Sequence, residues 1–348
     1  MGWRGHRGRT GDPLPLGGVF ERQQSGMSDR PILVTGAAGF IGSHVAGALL
    51  ARGRQVVGVD NFDGYYDLDI KQRNVRETMA RAANDAYHLA EADICDADAM
   101  RRVFESHKPE GVIHLAAKAG VRPSIADPVG YARVNVMGTS IMLEEARRGG
   151  CARFVMASSS SVYGNQTSAP FSEELDVSAP ISPYAATKRS CEMIGHAHWH
   201  LTRMPTACLR FFTVYGPRQR PDLAISLFLN KAAKNDPIVM FGDGASSRDY
   251  TFIDDIVRGV VAAYDRIDRH GFRIWNLGSS GPVTLRDMIA TIQRVTGREL
   301  AVQARPMQPG DVERTYADLT RSTAELGFRP TTPFAEGVAA QWAWMRGG

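Results

Sequence analysis

Between Ile32 and Asp60 the chain reads as strand, glycine turn, helix, strand and acid, in that order. Nothing else in the sequence restricts the fold as much. Residues 32–35 form a short apolar, β-branched run that leads into Gly36-Ala37-Ala38-Gly39-Phe40-Ile41-Gly42. An apolar-periodic helix is expected over 43–51 and a second strand over 55–59, ending at Asp60. Strands alternating with helices argue for a parallel sheet with helices on both faces. Strands and helices keep alternating to about residue 153. The expected class is α/β, a doubly wound parallel sheet.

The glycine spacing is Gly-x-x-Gly-x-x-Gly. Gly36 permits a tight turn, Gly39 lets backbone approach a pyrophosphate, and Gly42 lets helix and strand pack closely. The helix N-terminus then faces the phosphates. Asp60 stands 18 residues past Gly42. An acid there suits the ribose hydroxyls of NAD and repels the 2′-phosphate of NADP. Phe40, Ile41 and Asn61 flank these positions, and Asp93 with Ile94 is expected against the adenine. A third apolar strand over 111–115 ends at Leu115 and runs into Ala116-Ala117-Lys118, where small residues let the chain pass beside the cofactor.

Further along, a strand over 153–157 delivers Ser158-Ser159-Ser160-Ser161 at its C-terminal end, where doubly wound sheets bind ligands. Ser182 and Pro183 read as an N-cap and first-turn proline. The helix they start is expected to reach about Arg203. Tyr184 and Lys188 are four residues apart and share one of its faces. A free phenol titrates near ~10, so it acts as a base at neutral pH only where a cation within ~4–6 Å favours the phenolate. Lysine plus a positively charged nicotinamide supplies such cations.

Bulk properties exclude several classes. The net charge of +4 comes partly from a basic, Gly- and Arg-rich stretch before Pro31, which lacks the apolar core of a signal peptide. Residues 1–28 are expected to be a disordered tail, or over-called coding sequence with Met27 as the start. No segment approaches the ~20 apolar residues that span a bilayer, and no nucleic-acid partner is expected. The four cysteines, Cys95, Cys151, Cys191 and Cys208, show neither paired nor metal spacing and suit a reducing cytoplasm. His196 and His200 are i,i+4 but lack the intervening glutamate of a zinc-hydrolase helix, so no metal is expected. The composition shifts after 215. Residues 29–215 are expected to form the NAD-binding domain and 216–348 mostly a smaller substrate lobe, with 250–278 returning to the first domain.

Taken together, Thr35–Gly42, Ser158-Ser159-Ser160-Ser161-Val162-Tyr163-Gly164, Tyr184-x-x-x-Lys188 and Arg248-Asp249-Tyr250-Thr251-Phe252-Ile253-Asp254-Asp255 resemble the extended short-chain dehydrogenases/reductases. More narrowly the chain is similar to the UDP-glucuronate 4-epimerases over roughly 31–344. The most specific segments are Asp60–Asp67, Ala119-Gly120-Val121-Arg122-Pro123-Ser124, Arg210–Pro217, Arg220-Pro221-Asp222 and Gln308-Pro309-Gly310-Asp311-Val312. The resemblance implies a Rossmann-type sheet with a smaller C-terminal substrate-binding lobe, NAD as cofactor, a UDP-sugar substrate and a homodimer. It implies Tyr184 as base at the sugar C4 hydroxyl. Lys188 would favour the phenolate and hold the nicotinamide ribose. Ser159 would hydrogen-bond the same hydroxyl, Arg248 would clamp the diphosphate, and Asp311 would join the substrate contacts.

The sugar C6 group separates the candidates. A glucuronate carboxylate needs donors, and Ser160, Ser161 and Thr213 are expected to supply them, with charge from Arg122 or Arg220. Related UDP-glucose epimerases and dehydratases usually carry Asn at the Thr213 position. Decarboxylases that resemble this chain carry Glu just before Val-Tyr-Gly, and 4,6-dehydratases carry Asp-Glu. This chain has Ser160-Ser161 there. Plain epimerisation is therefore expected, with a UDP-glucose or UDP-N-acetylglucosamine 4-epimerase as the alternative. Two residues depart from the family pattern: Gly64, where a bulkier polar residue is usual, and Lys118, where glutamine is common.

Overall fold

The computed structural model describes residues 30–83, 85–306 and 314–347. The expected tail over 1–28 and Asp311 lie outside the described residues.

Among the described residues there are twelve strands: β1 Ile32–Thr35, β2 Val56–Asp60, β3 Tyr87–Glu91, β4 Gly111–His114, β5 Phe154–Ser159, β6 Thr206–Phe211, β7 Thr213–Tyr215, β8 Ile238–Phe241, β9 Ser247–Phe252, β10 Phe272–Leu277, β11 Pro282–Thr284 and β12 Val302–Arg305. The helices begin with α1 Phe40–Ala51, α2 Leu68–Met79, α3 Ala97–His107, α4 Val121–Ala126, α5 Pro128–Tyr131 and α6 Gly138–Arg148. They continue with α7 Pro183–Thr202, α8 Ala224–Lys234, α9 Ile253–Arg266, α10 Leu285–Thr296, α11 Thr320–Leu326 and α12 Phe334–Met345.

The main sheet has seven strands in the order β10-β6-β5-β4-β1-β2-β3, every neighbouring pair parallel. This bears out the doubly wound class. Alternate strand residues feed opposite cores, as the pleat requires. Ile32 and Val34 join Val45 and Leu49 of α1 and Val260 of α9 on one side. Leu33 and Val57 join Val103 of α3, Leu143 of α6 and Cys191 of α7 on the other. Each fully buried aliphatic side chain of this kind contributes about 1.5–3 kcal/mol against chain entropy. Chain order reverses between β1 and β4, and the loops after these strands open a crevice at their C-terminal ends. From the C-terminal third, β10 joins the edge of this sheet, while β7, β9 and β11 form a three-stranded sheet and β8 and β12 a two-stranded one.

Two boundaries differ from expectation and bear on the site. α1 starts at Phe40, not 43, because Gly39 itself is the N-cap; it makes no side-chain cap bond, and the first turn holds no acid. The first amides of α1 thus have no side-chain acceptor. β5 runs past 157 through Ser159, because pairing with β6 continues to Ser158↔Arg210 and Ser159↔Phe211. The serine run is split: two residues lie on the strand, and two open a 3-10 turn, Ser160–Tyr163.

Candidate active site

A cavity of about 410 Å³ lies over the C-terminal ends of β1, β4 and β5. Gly36, Gly39, Phe40, Ile41 and Gly42 form its floor. Gly36 has φ +69°, and a Cβ there would come within 2.9 Å of the Ala116 amide nitrogen. A Cβ on Gly42 would collide with the Gly36 carbonyl oxygen. These glycines therefore let the turn close tightly on the 115–116 backbone and on the start of α1, leaving a cradle of bare backbone in front of the uncapped helix end. That cradle fits a dinucleotide pyrophosphate.

Asp60, Asn61, Asp93 and Ile94 line one end of the cavity, and Leu115, Ala116, Ala117 and Lys118 line its wall. Asp60 is buried. Its Oδ2 accepts from the Ala38 amide (3.1 Å), and its Oδ1 accepts from the Phe62 amide (2.9 Å) and from Lys71 Nζ (3.2 Å). Under the wall lies His114. Thr35 Oγ1 accepts from the Leu115 and Ala116 amides (both 3.1 Å), so its proton goes to His114 Nδ1 at 2.8 Å. The ring is then the Nε2–H tautomer and donates to Thr139 Oγ1 at 3.1 Å. Burial, with the Lys188 charge nearby, pushes the His114 imidazole down to about 3.

At the other end α7 presents its first turn. Ser182 accepts from the Ala185 amide (3.1 Å), and Pro183 occupies the first helical position. This cap aims Tyr184 and Lys188 into the cavity. The Tyr184 ring meets Tyr131 edge-on, with centroids 6.1 Å apart. Burial raises the Tyr131 phenol, which stays neutral and donates to the Ala119 carbonyl (3.1 Å). Lys188 is 5% exposed, and its Nζ donates to the Ala157 carbonyl at 2.8 Å. Ser159, Ser160, Ser161 and Thr213 line the same end. Ser159 Oγ accepts from the Ser161 amide at 3.1 Å and so caps the 3-10 turn.

The three arginines have different positions. Arg220 lines the cavity; it is held by Asp222 at 2.9–3.0 Å and lies 5.0 Å from the Tyr65 ring centre. Arg122, on α4, does not line it and stacks over Phe241 at 5.9 Å. Arg248, on β9, does not line it either, and donates to the Ser247 carbonyl at 3.0 Å. Its neighbour Asp249 is fully buried and accepts from the Ser279, Ser280 and Ala317 amides at 2.6, 3.0 and 3.0 Å. His196 packs on Trp199 and Phe272, and the described residues contain no metal-ligand cluster.

Sequence reasoning missed three buried polar residues around the site. Lys71, on α2, lines the cavity beside Asp60. Asn135 lies in a π-helical stretch, Ala132–Met137, and clamps the Lys118 backbone from both sides (2.8 and 3.0 Å). Its amide also donates to Thr187 of α7 at 3.0 Å. Such π segments often mark functional sites, but no local residue pattern announces one. Glu192 takes Ser158 Oγ (2.6 Å) and the Arg210 fork (2.8 and 2.9 Å). A readable signal existed for Glu192, since it continues the Tyr184–Lys188 face by one more turn.

A family model described as GDP-mannose 4,6 dehydratase matches residues 33–341. A probable UDP-glucuronate 4-epimerase of Rhizobium meliloti is 39% identical over 329 residues, spanning 90% of this chain and 96% of the relative. Among solved structures, the UDP-glucuronic acid 4-epimerase of Bacillus cereus in complex with UDP-glucuronic acid and NAD superposes with a TM-score of 0.84 at 35% identity. It covers 91% of this chain and 99% of its own. The UDP-glucose 4-epimerase of Thermotoga maritima with UDP-glucose gives 0.82 at 31% identity, over 91% and 99%. With its parallel sheet, its glycine cradle and this match along nearly its whole described length, the chain belongs to the GDP-mannose 4,6 dehydratase family of extended short-chain dehydrogenases/reductases.

Proposed function

We propose that this protein is an NAD-dependent isomerase that epimerises C4 of UDP-glucuronate to give UDP-galacturonate through a transient 4-keto sugar. The observation that carries the reading is one cavity lined by the glycine cradle, Tyr184, Lys188, the Ser159–Ser161 hydroxyls and Thr213. Among the described residues, Ser160 and Ser161 line the cavity where related decarboxylases and dehydratases carry carboxylates.

NAD, when bound, supplies reversible hydride acceptance at C4. The cradle residues Gly36, Gly39 and Gly42 hold its pyrophosphate, with Asp60 and Asn61 at the ribose, Asp93 and Ile94 at the adenine, and Leu115–Lys118 along its length. Tyr184 removes the proton of the C4 hydroxyl as general base, a role typically worth ~10²–10⁴ in rate, and returns it after the ring has turned. Lys188 stabilises the phenolate, and Ser159 fixes the hydroxyl. Ser160, Ser161 and Thr213 donate to the C6 carboxylate. A 4-keto glucuronate is a β-keto acid prone to lose carbon dioxide. Ser160 and Ser161 donate where related enzymes carry acids, so this pair offers no carboxylate to protonate C5. Arg220, from its seat beside Tyr65, or Arg122 adds charge, Arg248 clamps the diphosphate, and Asp311 joins the substrate contacts.

Residues 29–215 act as the NAD-binding domain, with 250–278 returning to it, and 216–348 mostly as the sugar-nucleotide lobe. A homodimer is supported by apolar residues left open on α5 and α7, with Val129 78% and Leu201 81% exposed. Four free thiols support a cytoplasmic setting, where UDP-galacturonate would feed polysaccharide biosynthesis. Among the described residues no helix is long and apolar enough to cross a membrane.

The test is product analysis by NMR after incubation with UDP-glucuronate and no added reductant, beside an equal incubation with UDP-glucose. UDP-galacturonate at equilibrium is expected. Faster turnover of UDP-glucose, or release of carbon dioxide, would overturn the substrate assignment.

A further inference from the structure

Residues 213–220 bring Thr213 and Arg220 to the cavity, and the bend between them is unusual. The Gly216 carbonyl accepts from the Gln219 amide at 3.1 Å, Pro217 is the second residue of this turn, and Arg218, the third, has φ +65°. That is the signature of a type II turn, whose third residue is ordinarily glycine or asparagine. An arginine there carries backbone strain. Its guanidinium is also 2% exposed, and Nε and Nη2 both donate to Glu77 Oε2 at 2.8 Å, across 141 residues of chain. The remaining Nη1 is buried with no acceptor among the described residues. Burial pulls the Arg218 guanidinium below its ordinary value, against the opposing pull of Glu77. Strained backbone, a buried charge and a half-satisfied fork all cost stability, and a glycine would avoid all three.

The geometry points to Arg218 as a positioning residue: the Glu77 carboxylate fixes it, and the turn it holds sets Thr213 and Arg220 against the substrate. This rests on the substrate reading above and adds the residue that aims its contacts. Glu77 is a firm anchor because α2 is tied down around it. Its Oε1 accepts from Arg73 Nε at 2.7 Å and from Trp344 Nε1 of α12 at 3.4 Å, and Arg73 stacks over Trp344 at 4.4 Å. The turn is held elsewhere by other elements. The Gly216 amide donates to Gln341 of α12 (3.0 Å), the Pro217 carbonyl accepts from His44 Nε2 on α1 (3.0 Å), and Gln219 Nε2 donates to the Val214 carbonyl (2.9 Å). Arg218 supplies the tie to α2. Beyond it, Arg220 reaches the cavity, where its Nη1 lies 3.5 Å from the Ala119 carbonyl oxygen and its guanidinium 5.0 Å from the Tyr65 ring centre. Tyr65 stands in the loop that leads into α2, so the Glu77–Arg218 pair secures both sides of the Tyr65–Arg220 contact.

Arg218→Gly is the deciding variant, because glycine is the residue the turn itself prefers. An arginine that served the turn alone would be replaced without loss. A positioning role predicts instead that kcat/KM for UDP-glucuronate relative to UDP-glucose falls roughly 10-fold, inside the ~10² that a ~1 Å misplacement can cost, while the dissociation constant of NAD is unchanged. Backbone amides over 213–223 should exchange with deuterium roughly tenfold faster, the equivalent of one lost hydrogen bond to a charged group. Arg218→Lys should recover part of both losses. Glu77→Gln added to Arg218→Gly should lower the ratio no further, since the two changes act on one contact. An unchanged ratio or unchanged exchange in Arg218→Gly overturns the proposal, and so does an additive loss in the double variant. Arg218→Met carries the same comparison if Arg218→Gly does not fold. If the unaltered chain does not favour UDP-glucuronate, the substrate reading fails instead, and the exchange measurement still decides whether Arg218 anchors the turn.

Discussion

Replacing Arg210 by methionine tests how the catalytic helix is held to the sheet. Arg210 and Glu192 are each 1% exposed, and the guanidinium grips the carboxylate through Nε and Nη2 at 2.8 and 2.9 Å. Glu192 also accepts from Ser158 Oγ at 2.6 Å and from Arg189 at 3.1 Å. One carboxylate on α7 thus ties together β5 and β6, at the paired residues Ser158 and Arg210, directly before Ser159. Breaking a buried pair by removing one partner costs about 3–5 kcal/mol, because a charge is left uncompensated. Arg189 remains beside Glu192, so the lower end, about 3 kcal/mol, is expected for Arg210→Met. Replacing both members by apolar residues removes the stranded charge. Glu192→Met with Arg210→Met should therefore lie within about 1 kcal/mol of the original, the loss being the unmade bond of Ser158. Urea denaturation followed by tryptophan fluorescence reads this, since Trp275 is fully buried on the strand beside β6. Turnover of the double variant should still fall by roughly 10- to 100-fold, because Ser159 and Tyr184 are no longer locked to one geometry. A double variant as unstable as Arg210→Met alone would refute the coupling.

Three shorter tests address the chemistry. Tyr184→Phe should leave NAD binding nearly intact while turnover falls by ~10²–10⁴; near-normal turnover removes its role as base. Thr213→Asn should lower kcat/KM for UDP-glucuronate more than for UDP-glucose, and equal losses would remove its carboxylate contact. Burial holds His114 down to about 3 and His44 down to about 4, both below the ordinary 6.5. Their neutral forms are therefore compatible with folding above pH 6.5. As pH falls from 6.5 toward 4 the unfolded chain takes up protons that the folded chain refuses, and stability drops by about 1.4 kcal/mol per pH unit per histidine. His114→Asn should flatten this acid limb, and an unchanged slope in urea titrations at pH 7 and pH 5 would count against it.

The fold was legible where the signal is local. A glycine that must adopt positive φ, an apolar strand before it and an amphipathic helix after it lie within one short stretch, so Gly36–Gly42 announced both the turn and the parallel sheet. Tyr184 and Lys188 were readable for the same reason, since helical spacing puts them on one face. Where strands end was less legible. β5 extends through Ser159 because β6 offers partners up to Phe211, and a strand's end is decided by its neighbour.

What the sequence determined by itself is the set of elements and the residue types each carries to the C-terminal edge of the sheet, because periodicity, capping and glycine conformation act over a few residues. Only the tertiary structure decided which charges meet. Lys71 finds Asp60 across 11 residues, Asn135 clamps Lys118 across 17, and Arg210 seats Glu192 across 18, each in a buried corner. It also set Arg220 at the cavity and left Arg122 and Arg248 outside its lining. A long charged side chain is assigned its partner by desolvation, and that depends on which surfaces the packed sheet and helices bring together.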